Sequence, residues 1–386
     1  MRRWGNVSAA VLVAVALLSF TGEAAAGAAG PPLATVDAAT PLSAGNGWLV
    51  WSAPEGRQWT LMVYHAGSVV RLPVAPRAQP FDASVGTDVA GLPVVTFSRC
   101  ARTPRMLTVG EQGGGGGALL EPASGAGCRI RVLELTDGAE IKPPIPAPPG
   151  VSDTTPSIWH GQIAFARHSP SHGGVWQIES WSPSARNRLK TLPHGRIPSC
   201  PEEPHGCTQK AHGMVEALQR DGAIVTFLWV LPWPQQGLVG EGAWEVRVDR
   251  ADGSRAALAA GDFGHEACTA PVLGPHELEY VWPLPPIAAG NDALFGELLG
   301  FSCFHGFASL LVSHSAQPGF AIEGKLPATA LALADDRGQL YGLIPARNAA
   351  TGGDSPGCSA AEPCTIETLA TPALRRDPRL PFVPFQ

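Results

Sequence analysis

The sharpest chemical pattern in the chain is Gly353-Asp354-Ser355-Pro356-Gly357, a formal G-x-S-x-G. A nucleophile elbow of that form needs a strand before the serine, a helix after it, and the backbone N–H of the next residue as an oxyanion donor. Pro356 removes that N–H, and the short span from Cys358 to Cys364 follows where the helix would stand. The string therefore reads as an exposed turn. Histidines gather at His160, His168 and His172 and again at His205, His212 and His265, but only His265 has an adjacent carboxylate, Glu266. Successive strand residues face opposite ways, so such neighbours do not converge on one ligand. The five glycines Gly113 to Gly117 lack the Lys-Ser or Lys-Thr that a phosphate cradle requires. These patterns assign no catalytic residue, no metal and no cofactor.

The eight cysteines carry more information. They are Cys100, Cys128, Cys200, Cys207, Cys268, Cys303, Cys358 and Cys364, an even number. In an exported chain that favours disulfides, and without a CxxC or a close Cys/His quartet there is little case for structural zinc. Nearest neighbours are expected to pair: 100 with 128, 200 with 207, 268 with 303, and 358 with 364. The first pair sits at the foot of a hairpin. Pro93 to Ser98 reads as one strand and Cys128 to Leu135 as the other, with the glycine-rich tip carrying the slack between them.

Export is indicated by the first residues. Arg2 and Arg3, an apolar run from Val7 to Phe20, and small residues from Ala24 onward match a secretory signal peptide spanning 1–26. Residues 27–39 then read as a flexible linker and 40–386 as a single domain. The apolar run is short for a bilayer span, and no later segment supplies the ~20 apolar residues that one needs. The chain has 45 glycines and 38 prolines in 386 residues with 45% hydrophobic content, so breakers are spread through enough apolar material for a core. A net charge of −6 leaves no basic footprint for nucleic acid. The expected partner is a protein or glycan, and the expected state is a monomer.

One order of elements recurs: a turn, a β-branched or aromatic strand, and an alternating partner strand. The central strands are Trp48 to Ser52, Pro93 to Ser98, Gln162 to Ala166, Ala223 to Trp229, Glu277 to Trp282 and Gln339 to Ile344. Their partners are Trp59 to His65, Arg129 to Leu135, Val175 to Trp181, Trp244 to Asp249, Phe307 to Ser313 and Thr365 to Ala370. Six starts at such intervals fit the repeat period of propeller blades. A thin sheet cannot bury both faces alone, whereas radial stacking buries each against a neighbour. The alternative is a pair of β-sandwiches.

The turns before Ile/Val/Phe strands, and the Asp249 to Gly253 ending of a partner strand, resemble TolB-type, WD40-like β-propellers. The stretch from Phe81-Asp82 through Gly86-Thr87-Asp88 to Phe97-Ser98-Arg99-Cys100 is similar to secreted bacterial propellers of actinobacterial character. The usual Trp-Ser-Pro-Asp-Gly string is missing from all six strand starts. The expectation is an all-β, six-bladed propeller with local disulfides, preceded by a cleaved signal peptide. It would act as a binding or scaffolding module rather than an enzyme, the alternative being a hydrolase or lyase acting on glycans or lactones. A ring places its ligand at a mouth lined by strand ends and loops. Asp82, Asp153, His212 and Glu216 precede central strands and are the candidates to line it. Trp233, with Trp229 and Trp244, flanks the loop Leu231 to Gly242 and is the candidate aromatic platform.

Overall fold

The computed structural model describes residues 31–102, 105–108, 118–121, 127–169, 175–184, 188–192, 214–222, 224–232, 242–249, 255–263, 278–283, 287–289, 292–301, 306–314, 321–326, 328–346, 357–371 and 375–376. In several strands, chiefly those between 228 and 325, only the backbone pairing is described. Every regular element among the described residues is a strand.

A short strand, β1 (Ala34–Val36), comes first. The first sheet follows as β2 (Leu42–Gly45), β3 (Trp48–Glu55), β4 (Gln58–His65) and β5 (Ser68–Arg71), paired in that order. The second uses β6 (Ser84–Thr87), β7 (Pro93–Arg99), β10 (Arg129–Glu134) and β11 (Glu140–Ile141), with a separate hairpin, β8 (Arg105–Thr108) and β9 (Ala118–Glu121), inserted after β7. The third is β12 (Ser152–Trp159), β13 (Gln162–Ser169), β14 (Val175–Trp181) and β15 (Leu189–Leu192). The fourth is β16 (Met214–Asp221), β17 (Ile224–Pro232), β18 (Gly242–Asp249) and β19 (Arg255–Phe263).

In the fifth sheet, β20 (Leu278–Pro283) and β21 (Ile287–Ala289) share one side of β22 (Asp292–Phe301), followed by β23 (Gly306–His314) and β24 (Ala321–Lys325). The last has β25 (Ala332–Asp336), β26 (Gln339–Ile344) and β27 (Cys364–Leu369), while β28 (Arg375–Arg376) returns to pair with β24. The outer edge of the last sheet is supplied by β1, with Ala34 opposite Ile366 and Val36 opposite Cys364. Residues assigned from sequence to a linker thus include a strand that joins the two ends of the fold.

The hairpin chemistry is local. Asn46-Gly47, Ala66-Gly67, His160-Gly161 and Arg337-Gly338 are two-residue turns in which both residues have positive φ. That is the form whose twist matches a right-handed strand pair. Each sheet then uses both faces. On β3, Leu49 and Trp51 pack with Ala332, Ala334 and Ile366 of the last sheet, while Val50 between them packs with Val85, Phe97 and Leu133 of the second. The second sheet repeats this, since Val94 and Ile130 face Ile163 and Phe165 of the third. Fully burying each such side chain contributes roughly 1.5–3 kcal/mol, which no isolated four-stranded sheet would gain.

The inner edges form a closed cycle: β2 touches β6, β6 touches β12, β12 touches β16, β16 touches β21, β21 touches β25, and β25 touches β2. Small polar side chains join the neighbours there. Ser84 Oγ lies 3.5 Å from Ser43 Oγ and 3.2 Å from Ser157 Oγ, and Ser157 Oγ accepts from Arg220 N at 2.9 Å. The architecture is propeller-like.

The second sheet confirms the expected hairpin between β7 and β10, with Arg129 opposite Arg99 and the Cys100–Cys128 disulfide at its foot. Cys358–Cys364 is also formed. Cys200, Cys207, Cys268 and Cys303 lie outside the described residues. One pairing differs from the sequence reading. Glu277 to Trp282 was assigned Phe307 to Ser313 as its partner, but β22 stands between β20 and β23. The reason lies in the sequence of β22, Asp-Ala-Leu-Phe-Gly-Glu-Leu-Leu-Gly-Phe, which has no β-branched residue and so lacks the usual strand signature.

Candidate functional site

The cycle of inner strands has two ends, and the structure treats them differently. At the end where the inner strands turn back into their hairpins there is a cavity of about 600 Å³. Asn46, Thr87, His160, Asp221 and Asp336 line it, one from each of five sheets. All five stand where an inner strand meets its turn, so the repeat itself brings them together.

The walls are held by contacts that recur between sheets. Asp336, at the end of β25, accepts from the backbone N–H of Asn46 at 3.0 Å and of Gly47 at 2.5 Å. Two successive amides of a left-handed turn make a cradle for an anion, and here a carboxylate from the next sheet fills it. Arg337 Nη2 donates to Asn46 Oδ1 at 2.8 Å across the same boundary. Thr87, at the end of β6, serves the turn of the third sheet in the same way. Its backbone oxygen accepts from Gly161 N at 2.8 Å and its hydroxyl from His160 N at 3.3 Å. The Trp159 ring stands edge-on to His160, with centroids 4.4 Å apart, and lies against the Gly222 turn of the fourth sheet.

Charges of both signs enter this cavity. Asp335 is only 9% exposed, and one carboxylate oxygen accepts from Gly338 N at 3.1 Å. Burial pushes its carboxyl above the ordinary value; the Gly338 N–H pulls it back, while Asp336 and Asp221 push it further up. Arg220 donates to Ser180 Oγ at 2.8 Å and to Gln162 Oε1 at 2.6 Å, which anchors it in the wall. Burial pushes its guanidinium down. The set comprises three carboxyl groups, two guanidinium groups and an indole. Such a set offers donors, acceptors and an apolar plate to a hydroxyl-rich molecule.

At the opposite end stand the sequence candidates Asp82 and Asp153, each paired with an arginine. Asp82 accepts from Ser98 N at 3.0 Å, Arg77 Nη2 at 3.2 Å and Thr155 N at 2.8 Å, which ties the second sheet to the third. Burial opposes its ionisation, but Arg77 and these amides hold the carboxyl below its ordinary range. Asp153 takes a two-pronged bond from Arg167, at 2.7 and 3.0 Å. The hairpin β8–β9 reaches from the second sheet to touch β16 of the fourth. His212 and Trp233 lie outside the described residues, as do His265 and residues 353–356 of the G-x-S-x-G string, and Glu216 is placed on β16 by its backbone alone. The cavity residues were missed from sequence. Their one signal is the residue ahead of each turn glycine, in Asn46-Gly47, His160-Gly161, Asp221-Gly222 and Arg337-Gly338.

Among the described residues no group of three or more His, Cys, Asp or Glu forms a metal site, and no helix is long and apolar enough to cross a membrane. No family model matches the chain, and no curated protein matches it. Solved structures with similarity include YjhT, at 10% identity and a TM-score of 0.43 over 90% of this chain and 99% of that one. Another is an exo-1,5-α-L-arabinanase from a bovine ruminal metagenomic library, at 11% identity and a TM-score of 0.36 over 73% and 95%. A third is the polysaccharide lyase Uly1, at 11% and 0.37 over 91% and 83%. No residue role passes from these proteins to this chain. By its own strand pairing and inner-strand cycle, the chain is an all-β protein of propeller-like architecture with two disulfides among its described residues.

Proposed function

We propose that the chain is an exported six-bladed β-propeller, residues 40–386 after a cleaved leader of 1–26, that binds the end of a neutral glycan at the turn-end cavity. The sequence resemblance to secreted TolB-type propellers supports the export and the blade count, and disulfides fit an oxidising compartment. The observation that carries the ligand reading is the cavity. Its volume of about 600 Å³ suits an oligosaccharide end. Trp159 offers a face for sugar C–H groups, and Asp221, Asp335 and Arg337 offer acceptors and donors to hydroxyls. Asp82 and Asp153 support the scaffold in this reading.

The test is calorimetric titration with neutral di- to tetrasaccharides. Binding of at least one, weakened about tenfold by Trp159→Ala, is the expected result, since an aromatic contact of this kind contributes about 0.5–1.5 kcal/mol beyond its buried area. Failure of every oligosaccharide to bind, or binding indifferent to Trp159→Ala, overturns it.

Two carboxyls lining the same cavity, Asp335 and Asp221, favour a second reading, hydrolysis of the glycan. Asp335 would protonate the leaving glycosidic oxygen while Asp221 takes a proton from the attacking water. New reducing ends that disappear with Asp335→Asn would establish it. Their absence with a bound oligosaccharide leaves binding alone.

A further inference from the structure

The cavity wall is divided by a seam. Ala44, Gly45 and Asn46 come from the first sheet, and Asp335, Asp336 and Arg337 from the last. β25, β26 and β27 of the last sheet are joined covalently to the first sheet only the long way round the cycle, while β1 runs into β2 through five residues. Leu49 and Trp51 pack directly on Ala332, Ala334 and Ile366 across the boundary, and three further attachments hold it. On the outside, β1 lies along β27 over three residue pairs, and Leu33 N donates to Ile366 O at 2.8 Å. In the middle, Val36, 2% exposed, is packed with Leu42, Trp51 and Ile366. At the cavity, Asp336 holds the Asn46-Gly47 turn, and Arg337 holds Asn46.

A three-residue strand is a weak fastener, because it has few backbone bonds and Val36 is its one deeply buried side chain. Its receptor is firm by contrast, since the Cys358–Cys364 disulfide fixes the start of β27 directly opposite Val36. We propose that β1 is a latch coupled to the cavity: its seating on β27 and the capture of ligand across the seam favour one another. A ligand touching both walls binds only the closed form, and its apparent dissociation constant rises in inverse proportion to the closed fraction. The coupling is reciprocal, so an occupied cavity must also protect the latch. The ligand half of this inference rests on the glycan reading, whereas the link between latch and cavity wall does not.

Hydrogen exchange of the full chain separates the two. Without ligand, Asp336→Asn is expected to speed amide exchange in 33–36 and 364–366 at least fivefold, although Asp336 touches none of those residues. Unchanged exchange there overturns the coupling, whether or not any sugar binds. With maltotriose, cellotriose and chitotriose as probes, whichever binds is expected to slow the same amides in the wild type and to bind about tenfold more weakly to Val36→Asp. Thr35→Pro, which perturbs the backbone of β1 without placing a charge in the core, replaces that variant should it fail to fold. Equal affinity in the latch variant overturns the ligand half. If none of the three probes binds, the glycan reading fails for them, and the outcome with Asp336→Asn alone decides the latch.

Discussion

The Asp82 carboxylate accepts a hydrogen bond from the backbone of Thr155 at 2.8 Å across a sheet boundary, and Thr155 has φ of 46°. A β-branched residue in the left-handed region is a genuine outlier, with a cost of order 1–3 kcal/mol unless its surroundings fix it. Here a buried carboxylate does the fixing, and the irregular register of β12 between Thr154 and Ser157 follows from it.

Asp82→Ala is expected to destabilise the fold by about 3–5 kcal/mol, because it strands the mostly buried Arg77 guanidinium and releases Thr155 at once. Urea denaturation checks this; a loss under 1 kcal/mol contradicts it.

Thr155→Gly moves the other way. Glycine adopts φ of 46° without steric cost but loses more chain entropy, so the net expectation is a gain of roughly 0.5–1 kcal/mol. The same denaturation series reads it.

Two carboxyls give opposite pH slopes. Asp82 is held below its ordinary value of 3.8, so its contribution is complete above that pH and is lost as pH falls through the lower folded value. Asp335 is raised above 3.8, so the folded state binds the extra proton and stability declines as pH rises from 3.8 through the raised value. Asp335→Asn should therefore flatten the decline on that upper side and leave the acid limb intact. Thermal melts at closely spaced pH values distinguish the two.

Gly86 marks the tightest approach between inner strands: a Cβ there would stand 2.0 Å from the backbone oxygen of Ile158. Gly86→Ala forces β6 from β12 and should cost roughly 1–3 kcal/mol. At Gly45 the nearest atom would be an ordinary 3.5 Å away, so Gly45→Ala is the matched control and should change stability by under 1 kcal/mol.

The disulfides differ in loop length, 28 residues for Cys100–Cys128 and 6 for Cys358–Cys364. Loop entropy alone predicts losses of about 3.5 and about 2 kcal/mol when each pair is replaced by serine. Denaturation of the two double variants, with the other bridge intact, tests the order.

The second and third strands of most sheets were legible because runs such as Pro93 to Ser98 combine β-branched residues with a flanking turn. The inner strands were not. Ser43, Ser84, Gly86 and Ser157 are small and polar because the sheets crowd together where these residues stand, so β2 and β6 read as loop. The cavity was hidden for a related reason. Asn46, His160 and Asp336 sit in turns whose composition looks like punctuation, and only the closed cycle gives them a common destination. Asp82 and Asp153 were chosen as candidates to line a ring mouth from their place ahead of central strands; as buried carboxylates they need partners, and sequence does not say that Arg77 and Arg167 are those partners.

The pairing of Val36 with Cys364 also fixes an order of events. During synthesis the latch emerges more than three hundred residues before its receptor and must wait, unpaired, while the other sheets assemble. Completion of the ring is then the final step, so a truncation before Cys364 leaves a chain with two raw edges, prone to join end to end with its copies.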